Sequence, residues 1–192
     1  MFVVFPKLRL RISVFALPAM LLMLWTEGTA AFLMLVFSAL THECGHIVAL
    51  KILGYRARRV DLLPMGALIV CPEGIPDRDE FVIALSGPLF SLALSLVFAC
   101  LFFALGGVLL LFGAVINASL GTFNLLPVSK LDGGKALFCF LSYKGVKNAS
   151  RICNIASAVS KSIFVAASVL CAMATDFNLG VMLLLLALLF QL

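Results

Sequence analysis

The chain has 192 residues, 64% of them hydrophobic and only 12% charged. Soluble domains average roughly 45–50% apolar residues, so this composition excludes an ordinary water-soluble globule. The net charge of +5 does not indicate a nucleic-acid partner. The basic residues gather beside apolar runs, at Lys7 to Arg11, Lys51 to Arg59 and Lys130 to Arg151, as cytoplasmic loops do under the positive-inside rule.

A bilayer crossing takes roughly 20 apolar residues. The expected fold is therefore an all-α integral membrane protein, a single domain over 1–192 with about six transmembrane helices. In chain order the spans fall near 12–25, 29–53, 81–105, 108–126, 160–175 and 179–192. The first carries Pro18, tolerated where neighbouring helices satisfy the freed carbonyl. Lys7, Arg9 and Arg11 precede it as they would a signal peptide. No small-residue cleavage site follows cleanly, so it reads as a retained span.

The second span stops at Gly54, ahead of Arg56, Arg58 and Arg59. From Tyr55 to Cys71, β-branched and turn residues predict a small β-hairpin at the membrane edge. Pro72 to Glu80, with Glu73, Asp77, Asp79 and Glu80, reads as a solvated loop. Gly106 and Gly107 turn the third span into the fourth, Pro127 ends the fourth, and Lys135 to Tyr143 reads as a short interfacial helix. Alternating the spans from a cytoplasmic N-terminus puts the turns near Glu27, Gly106 and Asp176 outside, and none of them carries Lys or Arg. The six cysteines show no metal-ligand spacing and are expected as reduced thiols.

Both histidines of the chain stand in one motif, His42, Glu43, Cys44, Gly45, His46. H-E-x-x-H on a helix places two imidazoles on one face to grip one Zn²⁺ and leaves the glutamate as general base. A lone buried histidine is usually a hydrogen-bonded core group. Two histidines and a glutamate at membrane depth are harder to explain without function, because intramembrane ionisable groups are costly. Cys44 points to another side of the helix from His42 and reads as packing.

A catalytic zinc takes three protein ligands and keeps one position open. Of the nine acidic residues, Glu27 and Asp176 fall in outer turns, and Asp61, Glu73, Asp77, Asp79 and Glu80 fall in the hairpin and loop. Asp132 remains. The plain alternative for it is the N-cap of the helix that follows. Glu73 and Glu80 stay open as third ligands, less favoured because they lie among turn residues. Topology supports Asp132: the second span runs inward, with His42 ~14 Å before Lys51, and the fourth delivers Asp132 to the same side.

With these motifs in hand, the chain resembles the site-2 proteases, which are intramembrane zinc metalloproteases. The likeness rests on His42 to His46, on Asn124 through Leu131 with Asp132, Gly133 and Gly134, and on Leu85, Ser86, Gly87 and Pro88. It implies His42, His46 and Asp132 as zinc ligands and Glu43 as the base that activates water. It implies Asn124 as a substrate or oxyanion contact, and the hairpin around Met65, Gly66 and Ala67 as an edge that pairs with an unwound substrate strand. Ser91 stands where many members have Asn, and Lys130 where many have Pro.

The chain looks closest to the small branch of sporulation proteases. That branch implies a membrane-anchored substrate, such as a sigma-factor or transcription-factor precursor, and an inhibitory or regulatory membrane partner. The resulting expectation is a multi-pass protein of the cell membrane, in contact with the lipid bilayer and not with nucleic acid. Its active site faces the cytoplasm, where it hydrolyses a peptide bond in or near a transmembrane segment and releases a regulator. The alternative is a membrane metal transporter or carrier using the His/His/Asp site. Such proteins often carry paired broken helices in repeated halves, and no internal repeat is visible here. A catalytically inert relative is disfavoured by the intact Glu43.

Overall fold

The computed structural model describes residues 2–5, 10–13, 29–57, 59–63, 66–70 and 74–174. Among the described residues five helices dominate: α1 (Thr29–Ile52), α2 (Asp77–Leu105), α3 (Val108–Asn124), α4 (Asp132–Tyr143) and α5 (Ala149–Ala174). Three stretches, Thr29–Ile52, Asp77–Leu105 and Ala149–Leu170, are long and apolar enough to cross a membrane, and Val108–Asn124 is a shorter apolar helix.

Four strands accompany them: β1 (Phe2–Phe5), β2 (Leu10–Ser13), β3 (Arg59–Leu63) and β4 (Gly66–Val70). The sheet order is β1-β2-β3-β4. β1 and β2 are antiparallel, β2 and β3 are parallel across the α1 crossover, and β3 and β4 are antiparallel with Arg59 opposite Val70. Ile12, where the first span was expected to begin, thus belongs to a strand. The rest of that span and the span at 179–192 lie outside the described residues.

Helix ends explain most differences from the sequence reading. α1 closes as expected at Gly54, whose φ of +83° suits glycine. Tyr55 N–H bonds to Leu50 O at 2.8 Å and Gly54 N–H to Lys51 O at 3.1 Å, the paired bonds of a Schellman motif. α2 starts at Asp77 rather than near 81, so Asp77, Asp79 and Glu80, read as part of a loop, form its first turn. Carboxylates there face the positive end of the helix dipole, and Asp79 and Glu80 N–H both reach Pro76 O. An apolarity pattern does not register such a start. α5 likewise begins near 149 rather than 160, through a polar stretch containing Arg151 and Asn154.

The contacts between α1, α2 and α3 bury polar and small residues, while the outside is apolar. Ser38, His42, Ser91 and Asn117 are buried, whereas Leu33, Phe103, Leu105, Val108, Ile163 and Leu170 are largely exposed. Where lipid replaces water this inversion is favourable, because helices then associate through small residues and interhelical hydrogen bonds. A Cβ on Gly45 of α1 would come within 2.8 Å of Ser86 O and Phe90 Cβ on α2. A Cβ on Gly121 of α3 would lie 2.9 Å from Pro88 O. Asn117 joins α3 to α1 by donating from Nδ2 to Ser38 Oγ at 2.8 Å and to Gly113 O at 2.8 Å.

After α3 the chain folds back tightly. Val128 and Leu131 are buried against Phe123, Leu126 and Phe164. A Cβ on Gly133 would collide with the Leu125 carbonyl, and one on Gly134 with that of Val128. The paired glycines therefore let the start of α4 sit directly on its own connecting loop. That position sets the depth of Asp132.

Candidate metal centre

α1, α2 and α4 converge on three side chains. His42 and His46 are one turn apart on α1, and their rings stand 5.1 Å apart and nearly perpendicular at 80°. Asp132 is the first residue of α4. Its Oδ2 lies 3.2 Å from Nε2 of His42 and 3.2 Å from Nε2 of His46. The three residues present ligand atoms within 4.8 Å of one another. Asp132 is not an N-cap: Leu131 occupies that position, and no side-chain cap is formed. The carboxylate turns to the histidines instead.

α2 fixes the rings from behind. His46 Nδ1–H donates to Ile83 O at 2.8 Å. That carbonyl is within reach because Gly87, one turn on, has no side chain; a Cβ there would overlap the His46 ring. His42 Nδ1 lies 2.9 Å from Ser91 Oγ. Metal-bound histidines generally hold their second nitrogen in this way, which sets the tautomer. On the other side, Oδ1 of Asp132 is 3.9 Å from Lys135 Nζ. Without a metal, Nε2–H groups of His42 and His46 would donate to Asp132 and, outweighing burial, hold its carboxyl well below the usual carboxylate range.

The donor set fits a zinc ion. With its Nδ1 proton engaged by Ile83 O, neutral His46 turns a bare lone pair toward Asp132. The carboxylate oxygen is also a lone-pair atom, and so is Nε2 of His42 if Ser91 takes its Nδ1 proton. Such atoms 3.2 Å apart repel unless a cation lies among them. Tetrahedral N and O ligands at zinc distances stand ~3.3 Å apart, close to the spacing observed.

Glu43 is half-buried and lies within the electrostatic reach of His42, His46, Asp132 and Lys135. Cys44 is exposed and faces away. Glu80 does not join the three: it lies with Asp77 and Cys139 in a separate group at the start of α2. Glu73 lies outside the described residues. Asn124 ends α3, and its Nδ2 donates to Leu120 O at 3.0 Å within its own helix. Gly66 and Ala67 open β4, which packs near α1, and Met65 lies outside the described residues. The partners missed in the sequence were Ser91 as a contact of His42, Ile83 O, and the buried Ser38–Asn117 pair. Only the serine and asparagine could have raised suspicion, as polar groups inside apolar runs.

The sequence pattern of peptidase family M50 matches residues 30–108 and 107–167. A zinc metalloprotease of Methanocaldococcus jannaschii is 35% identical over 59% of this chain and 34% of its own length. Stage IV sporulation protein FB of Bacillus subtilis is 36% identical over 62% of this chain and 43% of its own. The chain thus spans about a third to two fifths of these relatives. Among solved structures, the site-2 protease from Methanocaldococcus jannaschii superposes with a TM-score of 0.68 at 26% identity, covering 100% of this chain and 93% of that one. The chain belongs to peptidase family M50, the zinc metalloproteases of site-2 type.

Proposed function

We propose that the protein is an intramembrane zinc endopeptidase that cuts a membrane-anchored protein in or near its transmembrane segment and releases a regulator to the cytoplasm. The observation that carries this reading is the convergence of His42, His46 and Asp132 beside Glu43, inside a bundle with an apolar exterior. In this reading the chain crosses the cell membrane about six times, with the metal centre toward the cytoplasmic face.

His42, His46 and Asp132 would hold a zinc ion, which when bound would polarise the scissile carbonyl and lower the pKa of a water. Glu43 would serve as the base for the attacking water and as the acid for the leaving amine. Lys135 neutralises the outer oxygen of Asp132, leaving Oδ2 for the metal. Asn124 contacts the substrate carbonyl region. The β3–β4 edge around Met65, Gly66 and Ala67 pairs with the substrate, because a peptide bond in a helix must be unwound before water reaches it.

Likeness to a sporulation protein makes a sigma-factor precursor the first substrate to try, together with an inhibitory membrane partner. The test is co-expression with a tagged, membrane-tethered substrate. Wild type should release a soluble fragment, and Glu43→Gln should release none while keeping its zinc. A fully active Glu43→Gln contradicts the mechanism.

A further inference from the structure

One buried hydroxyl touches an imidazole of the candidate metal centre. Ser91 lies on α2, 49 positions from His42 in sequence, and its Oγ is 2.9 Å from His42 Nδ1. Ser91 is 0% exposed and His42 4%, so neither can exchange the other for solvent.

We infer that Ser91 is the positioning residue of His42, accepting its Nδ1 proton so that Nε2 faces the metal as a lone pair. This rests on the zinc centre proposed above. A neutral imidazole carries one N–H, and whichever nitrogen bears it cannot ligate. At His46 the question is settled by a backbone carbonyl, which can only accept. At His42 the partner is a hydroxyl, which can donate or accept. His42 is thus the ligand whose tautomer depends on a side chain that substitution can remove.

Without that acceptor, His42 Nδ1–H would be buried and unpaired. The ring would then turn, or the proton would move to Nε2 and block the metal. Loss of a hydrogen bond to a ligating histidine typically lowers metal affinity about 10–100-fold. A purely structural serine would instead affect folding and leave the affinity of the folded protein alone.

The test is zinc affinity of the detergent-purified full chain, measured by chelator competition. Ser91→Thr and Ser91→Val are nearly equal in shape and differ in the hydroxyl. Ser95→Ala is the control: Ser95, one turn beyond Ser91 on α2, donates to Ala114 O on α3 at 2.7 Å and makes no hydrogen bond to either imidazole. The expected result is a zinc affinity near wild type for Ser91→Thr and Ser95→Ala, and about 10–100-fold weaker for Ser91→Val. Cobalt-loaded Ser91→Val should also show an altered visible spectrum. Equal affinities for the threonine and valine variants, or an equal loss in Ser95→Ala, would overturn the inference. A wild type that binds no zinc would instead overturn the metal centre itself.

Discussion

The imidazole of His46 lies directly on the backbone of Gly87, so closely that a Cβ at residue 87 would overlap three atoms of the ring. The absence of a side chain on α2 therefore shapes the candidate metal site on α1. Gly87→Ala should displace His46 and break its bond to Ile83 O. A fall of at least ~10-fold in zinc affinity is expected, together with a loss of about 100-fold in proteolysis, as catalytic groups misplaced by about 1 Å show. Gly54→Ala is the contrast. It strains a left-handed residue by about 1–2 kcal/mol in open space, and should lower thermal stability while leaving zinc bound. Elemental analysis and thermal unfolding of the two variants check both outcomes.

Acid should strip the metal through the histidines and not through Asp132. The Asp132 carboxyl is held below the usual carboxylate range, so it stays ionised as pH falls to roughly 4. Zinc requires both imidazoles neutral. Where zinc must displace a proton from each imidazole, its dissociation constant should rise by up to ~100-fold per pH unit of acidification, the slope of two displaced protons. Chelator competition at several pH values reads this slope directly. A dissociation constant that does not change with pH anywhere on the acid side contradicts the ligand set.

Cys139 is buried on α4, and burial together with Glu80 and Asp77 pushes its thiol up to about 12. Because the folded value lies above the unfolded one, the neutral thiol favours folding below roughly pH 8.5. That contribution is lost progressively as pH rises toward about 12. Native protein at pH 8 should leave Cys139 unmodified by iodoacetamide, with alkylation following denaturation. Mass spectrometry after labelling measures the difference. Rapid native alkylation at this position would contradict the packing of α4 on α2.

The residues of the centre were legible because their signals are local or exclusive. His42 and His46 are the only histidines and sit at helical spacing, and Asp132 is the carboxylate left once turns and loops are set aside. Helix starts were harder to read. Asp77 and Ala149 open helices with charged or polar turns, where hydropathy is low but dipole and cap interactions are favourable. The contacts that orient the site could not be read at all. Ser91 meets His42 and Ile83 O meets His46 only because glycines at 45 and 87 let α1 and α2 approach. One of those partners is a backbone atom that no residue pattern marks.

Zinc content of the purified chain tests the central claim most directly. Wild type and Glu43→Gln should each carry about one zinc per chain, while His46→Ala and Asp132→Ala should carry almost none. Zinc retained in Asp132→Ala, or absent from wild type, would contradict the three-ligand centre on which the proposed peptidase rests.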